Sequence, residues 1–208
     1  MKAIIITPCL KNKIHETIEI CTDDFVICAD NSFPTAMAQG IKPDLIIGDF
    51  DTGAPISFPE GTEVLQFPVE KDDADSMLCV KEASARGYKE ITVVGGLSGR
   101  LDHTFANLQM LAYGKAHGLN ITITDGENTA FMMSPGKIAL PRKKRHSLSV
   151  FSYDTEATGI SLSGVKYPLS HGTLTNRFPL GLSNEITSES AEIGLESGML
   201  LVIISKLN

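Results

Sequence analysis

Positive charge, paired cysteine and long apolar sequence are all scarce in this chain of 208 residues. The formal net charge is −7. A general nucleic-acid binder needs a basic surface to displace counterions from phosphates, so that class is excluded, whereas a cationic substrate is compatible with the acidic balance. The cysteines, Cys9, Cys21, Cys28 and Cys79, form no CxxC pair and the histidines are scattered, so no zinc site is expected. Cys28 and Cys79 stand inside apolar runs and read as small buried hydrophobes, the usage of a reducing compartment. No run approaches the roughly 18 apolar residues of a membrane span. The first eight residues, MKAIIITP, lack the long apolar core and cleavage site of a secretory signal. The expected location is therefore the cytoplasm, with neither a nucleic acid nor a membrane as partner. One basic run, Arg142-Lys143-Lys144-Arg145-His146, is expected to be a solvated turn between two strands in an otherwise acidic chain.

What is present is an apolar fraction of 42%, ample for a buried core. Runs rich in Ile and Val at 3–7, 25–29, 45–48, 91–95 and 121–124 are polar only at their ends, as strands buried on both faces of a parallel sheet are. Helical patterns lie between them, the clearest at 73–86 and 102–117, each followed by a glycine that closes a helix in the left-handed conformation. This alternation predicts an α/β layer fold. The texture changes near Pro135-Gly136. Beyond it, short apolar runs at 148–151, 159–162, 172–174, 191–195 and 199–204 are separated by Gly, Ser, Thr, Asn and Pro, as in an antiparallel sandwich or barrel. Two domains are expected, residues 1–135 and 136–208, with a substrate site near their junction.

Candidate chemistry gathers where the strands of the first domain end. Asp30, Asp49 and Asp51 all follow such ends, where ligands of open α/β sheets bind. In an extended chain Asp49 and Asp51 point to one side, and Gly48 leaves room beside them. Two adjacent carboxylates repel unless a cation lies between them, and Mg²⁺ prefers such hard oxygen ligands; the other reading is a solvated acidic turn. Lys71-Asp72-Asp73-Ala74-Asp75-Ser76 opens a helix. Aspartates cap helix starts and complement the dipole, yet three beside one lysine exceed what capping needs. The run from Val93 to Thr104, VVGGLSGRLDHT, ends a strand in a glycine-rich turn and begins a helix. Its amides favour a phosphate and Arg100 could grip phosphate oxygens, although the turn is neither a dinucleotide fingerprint nor a P-loop. His103 reads equally as a packing residue and is left out of the chemistry. In the second half, Gly164-Val165-Lys166-Tyr167-Pro168-Leu169 and Ser183-Asn184-Glu185 offer donors and acceptors suited to a small polar heterocycle, and each alone is no more than a loop.

Taken in order, these blocks resemble thiamine pyrophosphokinase. That family's GDFDS, KDxTD, GGxxGRxDH and G-x-KYPL…SNE blocks stand here as Gly48-Asp49-Phe50-Asp51-Thr52, Lys71-Asp72-Asp73-Ala74-Asp75, the run from Gly95 to His103, and the two second-half blocks, with Ala29-Asp30-Asn31 before them. The resemblance implies an α/β ATP-binding domain with a mainly parallel sheet, then an all-β sandwich-like thiamine-binding domain, in a homodimer. It implies Mg²⁺ on Asp49, Asp51 and Asp75 with Asp30, Lys71 and Asp72 nearby, and phosphate held by Arg100 and the turn containing Gly96 and Gly99. It further implies that Asp102 orients thiamine or accepts its proton, and that Tyr167, Ser183 and Asn184 line the thiamine pocket. The chain departs from the pattern at Asn31-Ser32, Thr52 and Ala74, the last losing a hydroxyl near the metal. It has no tryptophan, so any aromatic contact with thiamine falls to Tyr167 or a phenylalanine. The implied activity is pyrophosphoryl transfer from ATP to thiamine. A metal-dependent phosphohydrolase and a non-catalytic thiamine or nucleotide sensor are the competing expectations.

Overall fold

The computed structural model describes residues 1–8, 10, 12–50, 57–68, 70 and 73–207. It divides into two compact units, Met1–Gly126 and Glu127–Asn208. The expected division near residue 135 falls inside the second unit, at the turn between its first two strands.

In the first unit the strands are β1 (Ala3–Ile6), β2 (Phe25–Ala29), β3 (Leu45–Gly48), β4 (Glu63–Gln66), β5 (Glu90–Val94) and β6 (Asn120–Thr124). They lie in the order β4-β3-β2-β1-β5-β6, and every pairing is parallel. Helices α1 (Ile14–Thr17), α2 (Phe33–Ala38), α3 (Asp75–Ala85) and α4 (Leu101–Ala116) connect them. All residues of β1 and β3 are buried, which fits a sheet covered on both faces. On one face Ile4, Ile6, Val26, Cys28 and Ile46 pack with Ile14 and Phe33. β4 has only Val64 and Leu65 as apolar residues and stands at the edge, so it carries no strong strand pattern.

The second unit is all β: β7 (Asn128–Met133), β8 (Gly136–Pro141), β9 (His146–Ser152), β10 (Glu156–Ser163), β11 (Leu169–Thr175), β12 (Ser190–Leu195) and β13 (Leu200–Lys206). β13 pairs antiparallel with both β7 and β9. The order β11-β10-β12-β8 forms a second antiparallel sheet. Leu148, Val150, Leu200 and Val202 from the first set meet Ile160, Leu162, Leu174 and Ile193 from the second in one core, the arrangement of a sandwich. Residues 142–145 of the basic run lie exposed between β8 and β9, and His146, half-buried, opens β9.

Candidate active site

The first sheet grows from β1 in both directions, through β2 to β4 on one side and through β5 to β6 on the other. The crevice beyond the carboxyl ends of β1 and β5 is thus the topological switch point, where ligands of such sheets bind. Side chains fasten this edge. Thr7 donates to the Val94 carbonyl from both its amide, at 3.0 Å, and its hydroxyl, at 3.1 Å. The Ser32 hydroxyl donates to the Ile6 carbonyl at 2.8 Å.

A cavity of about 290 Å³ opens there. Asp30 and Asp75 bring carboxylates to it, Gly96 brings the glycine-rich turn, and Ser76, Ser98 and His103 bring further polar groups. Gly96 has φ 78°, and a Cβ on it would lie 2.7 Å from Asn107 Nδ2, so the turn needs glycine there on both counts. The first residues of α3 line the cavity, and amides at a helix start favour a phosphate.

Asp30 follows β2 with φ 45°, a left-handed conformation that aspartate tolerates better than most residues. Gly48 makes room for it: a Cβ there would stand 2.9 Å from Asp30 Cα and 3.1 Å from its Oδ1. Next to Asp49, Phe50 has φ 54°, an uncommon conformation for a bulky side chain that costs of the order of 1–3 kcal/mol. Its ring packs edge-on against Phe58 with centroids 5.0 Å apart, and Phe58 packs on Phe33 at 5.6 Å. Aromatic contacts contribute about 0.5–1.5 kcal/mol each beyond burial, which is comparable with that strain. β3 ends at Gly48, and two residues on the backbone turns at Phe50. Asp51, Lys71 and Asp72 lie outside the described residues.

Of the acidic cluster at α3, Asp75 lines the cavity while Asp73 pairs with Lys81 at 2.5 Å. Among the described residues no three His, Cys, Asp or Glu side chains are grouped so as to hold an ion. The donor type at Asp30, Asp49 and Asp75 is nevertheless the hard oxygen that Mg²⁺ takes, with the remaining positions left to water and phosphate.

Gly99, with φ 92°, and Arg100 lead into α4, and Arg100 pairs with Asp102. Gly99, Arg100 and Asp102 are not among the described residues that line the cavity. The Arg100 guanidinium holds the Asp102 carboxyl below the usual range. From α4, His103, Ala106 and Asn107 line the cavity. Sequence reasoning passed over His103 and Asn107. The signal that finds them is their spacing of four, which stacks both on one helix face.

In the second unit a largely apolar cavity of about 320 Å³ is lined by Leu162, Tyr167, Leu174, Leu182 and Asn184. Asn184 is buried, and its amide is engaged with backbone. Its Oδ1 accepts from the amides of Tyr167 at 3.0 Å and Glu185 at 2.9 Å, and its Nδ2 donates to the Tyr167 carbonyl at 2.8 Å. Asn184 thus fixes the backbone of Tyr167, whose ring is exposed with Lys166 Nζ 5.5 Å from its centroid. Ser183 turns with φ 58°, and its amide donates to Ser149 Oγ at 3.0 Å.

Comparison with known proteins gives concordant matches over both units. Residues 19–123 match the family model of the thiamin pyrophosphokinase catalytic domain, and residues 137–200 match that of the thiamin pyrophosphokinase vitamin B1 binding domain. The chain is 27% identical over 187 residues to the thiamine pyrophosphokinase of Bacillus subtilis, covering 86% of each. The fold is that of the crystal structure of a Bacillus subtilis thiamine pyrophosphokinase, with TM-score 0.88 at 22% identity over 100% of both chains. A thiamin pyrophosphokinase from Geobacillus thermodenitrificans superposes with TM-score 0.83 at 25% identity over 99% of this chain and 98% of that one.

Proposed function

The chain belongs to the thiamin pyrophosphokinase family, and from that premise we propose how its residues serve the reaction. It is a transferase that moves the pyrophosphoryl group of ATP onto the hydroxyethyl hydroxyl of thiamine, giving thiamine diphosphate and AMP. The hydroxyl oxygen bonds to the β-phosphorus. The bond from that phosphorus to the α,β-bridging oxygen breaks, AMP departs with the bridging oxygen, and the hydroxyl proton passes to solvent or a nearby base. Charge stays on phosphate oxygens throughout, so positioning and electrostatic neutralisation supply most of the rate.

The observation that carries this reading is the switch-point cavity, which is lined by Asp30, Asp75, Gly96 and the start of α3. The triphosphate lies there against the amides of residues 95–99 and of the α3 start. Arg100 leaves Asp102 to clamp a phosphate oxygen, and Asp102 orients the thiamine side. Asp49 and Asp75, with Asp51, would hold Mg²⁺ directly or through water, with Asp30 and Asp72 assigned near it, and Lys71 would serve nucleotide binding. Bound Mg²⁺ neutralises charge on the triphosphate. Thiamine, a fixed cation, takes the second unit's cavity with Tyr167 as its aromatic face and Asn184 in its lining, and Ser183 stands between the lining residues Leu182 and Asn184.

Two further statements belong to the same proposal. The exposed Tyr167, Phe178, Leu180 and Leu182 support a homodimer, to be measured as a solution mass of two chains. The buried, unpaired thiols of Cys28 and Cys79 support a cytoplasmic location. No helix among the described residues is long and apolar enough to cross a membrane.

The test is to incubate the protein with ATP, Mg²⁺ and thiamine and to resolve the products. AMP and thiamine diphosphate in equal amounts support the proposal. Phosphate release that ignores thiamine points to a hydrolase, and binding without turnover points to a sensor.

A further inference from the structure

Asn107 is one of the few polar side chains buried in the first unit, and both ends of its amide are in use. Its Oδ1 accepts from the Ser76 hydroxyl at 2.9 Å, and its Nδ2 donates to the Gly96 carbonyl at 2.9 Å. Ser76 stands one residue after Asp75 in the first turn of α3, whereas Gly96 belongs to the glycine-rich turn after β5. All three residues line the same cavity. One amide on α4 therefore joins the acidic wall of the cavity to its amide-rich wall. Gly96 is shaped to this contact, since any Cβ there would collide with Asn107 Nδ2.

We propose that Asn107 is a positioning residue that fixes the spacing between the Asp75 carboxylate and the glycine-rich turn, and so pre-organises the cavity for the triphosphate. The inference rests on the reading of this cavity as the nucleotide site. The physical argument is one of geometry held by buried bonds. A hydrogen bond shielded from water is stronger than an exposed one, and losing one partner leaves the other unsatisfied. With Asn107 gone, Ser76 and the Gly96 carbonyl lose their common link. α3 and the turn then move independently, and the ordering cost falls on ATP when it binds. Oδ1 and Nδ2 each already hold one of the two elements, so the role assigned to Asn107 is exercised through Asp75 and the turn.

The experiment measures Mg²⁺-dependent binding of α,β-methylene-ATP, inert at the bond the reaction breaks, by titration calorimetry. It uses the full chain and its Ser76→Ala, Asn107→Ala, Asn107→Asp and Ser76→Ala/Asn107→Ala variants. Thermal midpoints and the KM values for ATP and thiamine are recorded alongside. The proposal expects Asn107→Ala to weaken the analogue by roughly tenfold, the scale of one to two lost hydrogen bonds. It expects Ser76→Ala to weaken it less, and the double variant to be no weaker than Asn107→Ala, because both changes cut the same link. Asn107→Asp keeps the acceptor for Ser76 but sets a carboxylate against the Gly96 carbonyl, and is expected to match Asn107→Ala. The KM for ATP rises and that for thiamine holds. A merely structural role would lower the thermal midpoint and leave the affinity of the folded protein unchanged, which overturns the proposal, as would additive losses in the double variant. If Asn107→Ala does not fold, Ser76→Ala and Asn107→Asp decide by the same criterion. Failure of the unaltered chain to bind the analogue overturns the nucleotide reading as well; unchanged affinity in the variants overturns this inference alone.

Discussion

Arg100 grips Asp102 at two points, Nη2 to Oδ2 at 2.5 Å and Nε to Oδ1 at 3.1 Å, across a single turn at the start of α4. Both side chains are mostly exposed, at 73% and 63%, so the pair contributes little to folding. What it does is park a guanidinium, fixed in its charged state, beside the turn that is proposed to hold phosphate. Arg100→Ala is expected to lower kcat/KM for ATP by on the order of 10- to 100-fold, the range of charge-assisted hydrogen bonds, with the thermal midpoint nearly unchanged. Steady-state kinetics beside a melting curve checks it. Unaltered ATP kinetics would remove Arg100 from the phosphate clamp.

Gly48→Ala tests the closeness of Asp30. The added Cβ would meet Asp30 Cα at 2.9 Å, and backbone has no rotamer by which to escape. Overpacking of this kind costs typically about 1–3 kcal/mol. Asp30 should be pushed from the cavity wall, so activity is expected to fall by more than the loss of folded protein explains. Denaturant unfolding and specific activity on the same samples separate the two effects; activity that tracks the folded fraction would place Asp30 outside the site.

Much of this arrangement was legible in the residues, and the parts that were not have physical causes. Strands β1, β2 and β3 announced themselves because burial on both faces demands apolar runs, and β5 and β6 through the buried Ile and Val they carry. β4 did not, since an edge strand can remain polar at both ends. β7 begins with Asn128-Thr129, polar residues that carry no strand signature before Ala130, and so the second unit begins earlier than the change in texture near Pro135. At the site, strand ends located Asp30, and a helix start located Asp75. Alternation along an extended chain could not foresee Phe50, because a left-handed residue is stabilised by rings distant in sequence. Asn107 was hidden for a related reason: a polar residue on a buried helix face is explained only by partners on other elements.

Cys28 provides a pH dependence with a definite sign. Burial pushes its thiol up from 9.0 to about 12, opposed by a weaker hydrogen bond with Ser32. The folded chain therefore keeps the thiol neutral where the unfolded chain has lost its proton. The stability from Cys28 is fully present below pH 9.0 and is lost as pH rises toward about 12. Over that window the slope is at most about 1.4 kcal/mol per pH unit for one thiol. Cys28→Ala is expected to start somewhat less stable at neutral pH, from the cavity it leaves, and to lose stability less steeply above pH 9.0. Denaturant midpoints of both proteins across the alkaline range measure the difference. Parallel curves would show that burial does not hold this thiol neutral.

The ring of Phe58 supports the turn that carries Asp49. Phe50 adopts its left-handed backbone with its ring against Phe58, and Phe58 in turn rests on Phe33 in the core. Phe58→Ala removes both contacts and leaves the conformational cost of Phe50 uncompensated. Because Phe58 is only partly buried, the expected destabilisation is about 1–3 kcal/mol, less than for a fully buried phenylalanine. The functional consequence is expected at the metal. If Asp49 helps hold Mg²⁺, a relaxed turn must be reordered when the ion binds, and the Mg²⁺ concentration for half-maximal activity should rise by roughly threefold to tenfold. Saturating Mg²⁺ should then restore most of kcat. A lower kcat with no change in Mg²⁺ requirement would mean that the aromatic contacts serve the core alone, and that Asp49 keeps its place without them.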